Sequence, residues 1–166
     1  MGIIGLRFKS KIQTRYDYQP EMAERVRHQI ISHFVQDLKI KARLQNDSVK
    51  FKSYLEIMTF NPIIAVFGLT IDSGEIKTIN NSGKLQIDYR ANSYRGLIIF
   101  GLFCVFFGYI GIKVEEIEIL SFEALLFLMP IVLYFFLKIF GLRILVGIIE
   151  KSLKNRNKTT HNKVLR

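Results

Sequence analysis

Two long apolar stretches in the C-terminal half of the chain limit every other assignment. Leu97–Ile112 reads LIIFGLFCVFFGYIGI and Ala124–Leu137 reads ALLFLMPIVLYFFL, and after Lys138 the pattern resumes as IFGLRILVGII. A bilayer core of about 30 Å takes roughly 20 helical residues, with about 17 as the lower limit. The first stretch is short for a span. Tyr94 and Arg95 extend it at one interface, and Lys113 snorkels at the other. Two such segments joined by a short link predict a transmembrane hairpin, with helices over about 95–113 and 122–140.

Charge orients the hairpin. The link Lys113–Glu123 holds four Glu and one Lys, whereas the chain from Lys138 onward holds eight Lys or Arg against Glu150. Residues 1–95 hold fifteen basic and nine acidic residues. Basic residues near the spans stay on the cytoplasmic side. The expectation is a two-pass protein of the cell membrane with both termini cytoplasmic and an acidic link outside. MGIIGLRFKS has neither the apolar length nor the cleavage site of a signal peptide, and Leu6 stands where a myristoylation motif needs Ser or Thr.

Beyond Lys138 two courses are open. The second span continues to about Ile149, or the helix leaves the membrane near Lys138. In the second case Arg143, Gly147, Glu150, Lys151 and Lys154 form a polar stripe opposite Ile and Leu, the pattern of a helix lying among headgroups to about residue 153. The hairpin region is therefore drawn as 93–149, and residues 154–166 as a basic, disordered tail.

The period changes in the first ninety residues. Leu6, Phe8, Ile12 and Tyr16 alternate with Arg7, Lys9, Lys11, Gln13 and Arg15, a half-buried strand with a basic outer face. From Pro20 to about Leu44, Ala23, Val26, Ile30, Phe34 and Leu38 recur at helical spacing, and Lys39, Lys41 and Arg43 complement the negative helix end. From Val49 the period returns to two: Val49, Phe51, Leu55 and Ile57 face one way, Lys50, Lys52, Tyr54 and Glu56 the other. Asn61-Pro62 breaks that strand, and Ile63–Ile71 is a β-forming apolar run. Turns at Asp72-Ser73-Gly74 and Asn80-Asn81-Ser82-Gly83 frame a short strand, with a bulge at the first site as the alternative. Leu85, Ile87 and Tyr89 mark a last strand. One strand, one helix and a three- to four-stranded antiparallel meander predict an α+β domain over 1–92.

Reactive chemistry is not evident. The sequence lacks a phosphate-binding P-loop, an H-E-x-x-H metal motif and a G-x-S-x-G nucleophile elbow. His28 and His33 have no spaced partners for a metal. Cys104 is the only cysteine and sits inside the first apolar stretch, so no intrachain disulfide forms. No catalytic residue, metal or cofactor is assigned. Gly101 and Gly108 lie seven residues apart on one face and, with a kink at Pro130, suit close packing of helices.

The surface feature that stands out is the basic face of Arg7, Lys9, Lys11 and Arg15, joined by Lys50 and Lys52. A solvated face is the simplest account, anionic lipid headgroups are the next, and nucleic acid or nucleotide comes last because the aromatic platform of single-strand binders is missing. The expected function is binding or sensing at the inner membrane face, with lipids and a protein partner or a second copy as partners. The alternative is a pore-forming effector gated by the domain.

Overall fold

The computed structural model describes residues 7–54, 61–113 and 120–154. The expectations for Leu55, Ile57, the acidic residues Glu115, Glu116 and Glu118, and the tail beyond 154 lie outside these residues. The elements in chain order are β1 (Arg7–Asp17), α1 (Pro20–Gln36), β2 (Lys41–Gln45), β3 (Ser48–Lys52), α2 (Pro62–Thr70), β4 (Ser73–Asn81), β5 (Lys84–Asn92), α3 (Arg95–Lys113) and α4 (Leu120–Lys154).

The fold is α+β. The five strands form one antiparallel sheet ordered β1-β5-β4-β3-β2. The β4–β5 turn needs both central residues at positive φ, and Ser82 (53°) and Gly83 (80°) supply it. β1 alternates exposed and half-buried along its whole length, as the period of two requires.

Two expected elements change. The helix from Pro20 stops at Gln36, not near Leu44. Lys39 at φ 55° breaks it, and Lys41 and Arg43 join a strand. Leu38 and Ile40 are still buried, but from the connection rather than from the helix. The run Ile63–Ile71, expected as a strand, is largely the helix α2. Pro62 occupies its first turn and the Asn61 side chain accepts from the Ile63 N–H at 3.0 Å, so the expected strand breaker is a helix start.

The helices crowd one face of the sheet. Phe34 of α1, Phe51 of β3 and Phe67 of α2 meet with ring centroids 4.6–6.2 Å apart. Gly74, paired with Phe51, leaves the space that this ring fills; a Cβ there would collide with it.

The decisive departure lies in α4. The helix runs unbroken for 35 residues and changes environment along its length. Leu145 and Ile149 are fully buried, and Ile148 and Leu153 nearly so, in the same cluster as Ile30, Phe34, Val49 and Ile87. The polar stripe is where the sequence places it, since Arg143, Gly147, Glu150, Lys151 and Lys154 are exposed. The opposite face, however, meets the protein core rather than headgroups. The core therefore draws on residues well beyond 92.

Polar ties secure this docking. Asp37 after α1 accepts from His33 Nδ1 at 2.8 Å and from Lys151 Nζ at 3.2 Å. The hydrogen bond from His33, seconded by Lys151, holds the Asp37 carboxyl below its usual pKa. That contribution is present above the ordinary carboxylate range and is lost as pH falls through the lowered value.

Among the described helices, α4 is the one long and apolar enough to cross a membrane, with a mean hydropathy of 2.2 in its most apolar window. The described apolar part of α3, Arg95–Phe106, is shorter than a span. The two helices pack together: Tyr134 of α4 lies against Phe100 at 5.5 Å between centroids, and its hydroxyl is 3.1 Å from Ser93 Oγ.

Ile149→Ala and Phe34→Ala should each destabilise the full chain by about 2–5 kcal/mol through cavity formation. Lys151→Ala removes an exposed pair and should cost no more than about 1 kcal/mol. Thermal unfolding in mild detergent compares them. An Ile149→Ala variant as stable as Lys151→Ala would place the end of α4 outside the core.

Candidate functional site

With three helices on one face, the other face of the sheet stays open, and strand register decides which side chains share it. Antiparallel partners point to the same side. One row across the sheet runs Arg7, Asn92, Ser73, Lys52, Lys41, and the next runs Lys9, Arg90, Glu75, Lys50, Arg43. A third holds Lys11, Asp88, Lys77, Ser48 and Gln45, and a fourth Gln13, Gln86 and Ile79. Charge thus falls along the strands. The first two rows carry seven cations against Glu75, the third two against Asp88, and the fourth none.

The six expected residues are placed unequally. Arg7, Lys9, Lys50 and Lys52 come together in the first two rows, and Lys11 sits in the third. Arg15 lies within the register irregularity between Gln13 and Asp17, toward the far end of β1. Lys41, Arg43 and Arg90 complete the cluster, and sequence reasoning left them out. Lys41 and Arg43 were assigned to a helix end, although K-I-K-A-R alternates at the strand period, which was the available signal.

The first two rows line an open groove of about 1280 Å³, to which all five strands contribute. Its cations are exposed. Among the described residues the ion pair on this face is Lys77 to Glu75 at 3.6 Å, and Glu75 also stands between Lys50 and Arg90 in the strand register. Tyr54 stands at the rim, 44% exposed, with the Lys41 ammonium 5.2 Å from its ring centroid. Val35 is an exposed apolar residue in the same lining. The groove is strongly cationic, and among its described lining residues no acid–base pair or nucleophile is poised. No group of three metal-binding side chains occurs among the described residues.

The groove adjoins the start of α3. Asp72 Oδ2 accepts from the backbone N–H groups of Tyr94 and of Arg95, the latter at 2.9 Å, and so caps that helix. Arg95 Nε lies 3.7 Å from Asp72 Oδ1, and its Nη2 donates to Ser53 O at 3.2 Å, one residue past Lys52. The row of Arg7, Lys52 and Lys41 is therefore the row nearest the apolar helices.

The expected packing residues fare differently. A Cβ on Gly101 would meet nothing within 4 Å, so Gly101 faces outward. Gly108 is half-buried, and Pro130 is buried within α4. Within the chain, close approach occurs at Gly96, where a Cβ would lie 2.6 Å from Leu69 O, and at Gly141, where it would collide with Thr70 Oγ1 of α2.

No family model matches the chain, and neither a curated protein nor a solved structure matches it.

Like charges opposite one another oppose folding by a few tenths to about 1 kcal/mol each. Lys9 faces Arg90 and Arg43 faces Lys50. Arg43→Gln should therefore raise the melting temperature at low salt and lose that gain at high salt, while Glu75→Gln should lower it. Calorimetry at two salt concentrations reads both. A stabilising Glu75→Gln would contradict the repulsion.

Proposed function

We propose that this chain is an integral membrane protein with two spans, α3 and α4, whose cytoplasmic α+β domain recognises an anionic partner at the inner face rather than catalysing a reaction. The observation that carries the membrane assignment is the side-chain environment of the two helices. From Leu97 to Tyr109 and from Leu128 to Phe140 the exposed residues are Leu, Ile, Val, Met and Phe, apart from Gly101 and the Tyr109 hydroxyl. Ile98, Leu102, Val105, Val132 and Phe136 are each more than 60% exposed. An apolar surface so continuous does not persist against water. A bilayer gives it a solvent, and helices satisfy their own backbone there.

The apolar exposure stops where α4 meets the domain. Leu120–Phe140 covers about 30 Å at 1.5 Å per residue, the thickness of the bilayer core. Beyond Gly141 the apolar residues turn inward. The short α3 reaches across by tilt, local thinning and its flanking Arg95 and Lys113. A pore would ask for a polar stripe along these helices, and the outward residues described between Leu97 and Tyr109 and between Leu128 and Phe140 are apolar apart from Gly101 and the Tyr109 hydroxyl.

Three single-cysteine variants in a Cys104→Ala background test the topology. Ser121→Cys should react with an impermeant thiol reagent in intact cells. Arg25→Cys on α1 and Lys163→Cys should react only after permeabilisation. The opposite pattern, or identical labelling of all three sites, rules out the topology.

A further inference from the structure

Resting on the membrane assignment above, we infer that the groove's ligand is the layer of anionic phospholipid headgroups in the leaflet that α3 and α4 enter. The first observation is the gradient of charge. Seven cations and one acid occupy the two rows nearest α3, and the charge then fades to none by the fourth. A face shaped for solubility alone has no reason to concentrate charge at the end where the chain turns into the apolar helices.

The second observation is distance. Arg95, in the first turn of α3, bonds the carbonyl of Ser53, so the first row adjoins the helix start. Exposed apolar side chains begin two residues later, at Leu97. Same-face positions along a strand are about 7 Å apart, so the second row is one such step farther. A Debye length of about 8 Å at physiological salt covers both rows, and long Lys and Arg side chains reach outward. The third row and Arg15 lie beyond that range.

The third observation is the form of the groove. At about 1280 Å³ it is open and larger than the usual site for one small ligand of about 300–1,000 Å³. Its strand cations come from four of the five strands, β4 contributing Glu75 instead, and are spread out rather than converging on one point. Tyr54 at its rim and Tyr94 before α3 are exposed aromatics of the kind that settle at headgroup level. Among the described residues no base-stacking platform forms, because Phe51 is turned into the core and Phe8 packs on Tyr89.

The chain has no tryptophan, so Tyr54→Trp introduces a single reporter at the rim. The full chain carrying it is reconstituted into nanodiscs of phosphatidylcholine, or of phosphatidylcholine with phosphatidylglycerol, each containing a trace of lipid spin-labelled at the headgroup. Quenching of the indole should be several-fold stronger in the anionic discs. It should fall to the neutral-disc level in 1 M salt, and also when Lys41, Lys50, Lys52 and Arg90 are all changed to Gln. Changing Arg15 and Lys84 at the far end to Gln should leave it intact. Equal quenching in both lipids, or a loss as large from the Arg15 and Lys84 pair, overturns the inference. Inorganic pyrophosphate is added to neutral discs in a parallel arm. An emission change there without quenching in anionic discs assigns the groove to a soluble phosphate ligand instead. Failure of the chain to enter either disc removes the membrane assignment and this inference together; entry with lipid-independent quenching removes this inference alone.

Discussion

The burial of the last turns of α4 inside the α+β core is the interaction on which the rest of the structure depends. A single helix presents Leu128–Phe140 outward and Leu145–Leu153 inward. The 35-residue helix is continuous through Pro130 and is about 52 Å long at 1.5 Å per residue. Both environments are therefore carried by one helix. The change of environment happens at Gly141, where the missing side chain lets Thr70 of α2 touch the helix backbone. α2 is apolar, with Phe67 in the core, and Ile63 faces outward. It thus occupies the boundary between the exposed apolar helices and the sheet.

A second attachment lies at the start of α3. Asp72 caps that helix and Arg95 reaches Gly68 O, Ser53 O and Asp72 in one fan of bonds. Tyr134 closes the arrangement by meeting Ser93 and Phe100. A domain joined to a helix pair by one flexible tether can sample many orientations. Here both strands of the connection are held, one by polar bonds and the other by apolar burial. The groove consequently keeps a set position beside the apolar helices, which is what makes its charge gradient meaningful.

Much of this was legible in the sequence, and the failures share a physical cause. The period-two strand at Arg7–Asp17 and the stripe Ala23, Val26, Ile30 and Phe34 hold because one face of each is buried and the other wet. The turn at Ser82-Gly83 holds because its backbone demands those residue types. α2 escapes because a run that is apolar on all sides has no period, and Ile and Val suit both states until Asn61-Pro62 is recognised as a cap. The polar stripe on α4 was legible, but its partner was not: an Ile/Leu face looks the same whether it meets lipid or a protein core. Lys41 and Arg43 escape because the alternating K-I-K-A-R follows directly on a helical stripe, and Arg90 because its place in the cluster is set by register between strands far apart in sequence, which no local pattern encodes.

Charge placement on the open face runs against what stability alone would select. Lys9 opposite Arg90 and Arg43 opposite Lys50 are repulsive pairs in a position where Glu or Thr would serve the sheet better. Glu75 relieves part of the repulsion, but it stands amid three cations. The same strands bury the centre of their other side, with Ile76, Ile87 and Val49 fully enclosed. A sequence this ordered on one face and this frustrated on the other fits a constraint from outside the fold. On the proposed membrane reading, anions of the neighbouring leaflet would complete the missing half of the electrostatics. The row that needs them most, Arg7, Lys52 and Lys41, is also the one joined through Ser53 and Arg95 to the first turn of α3.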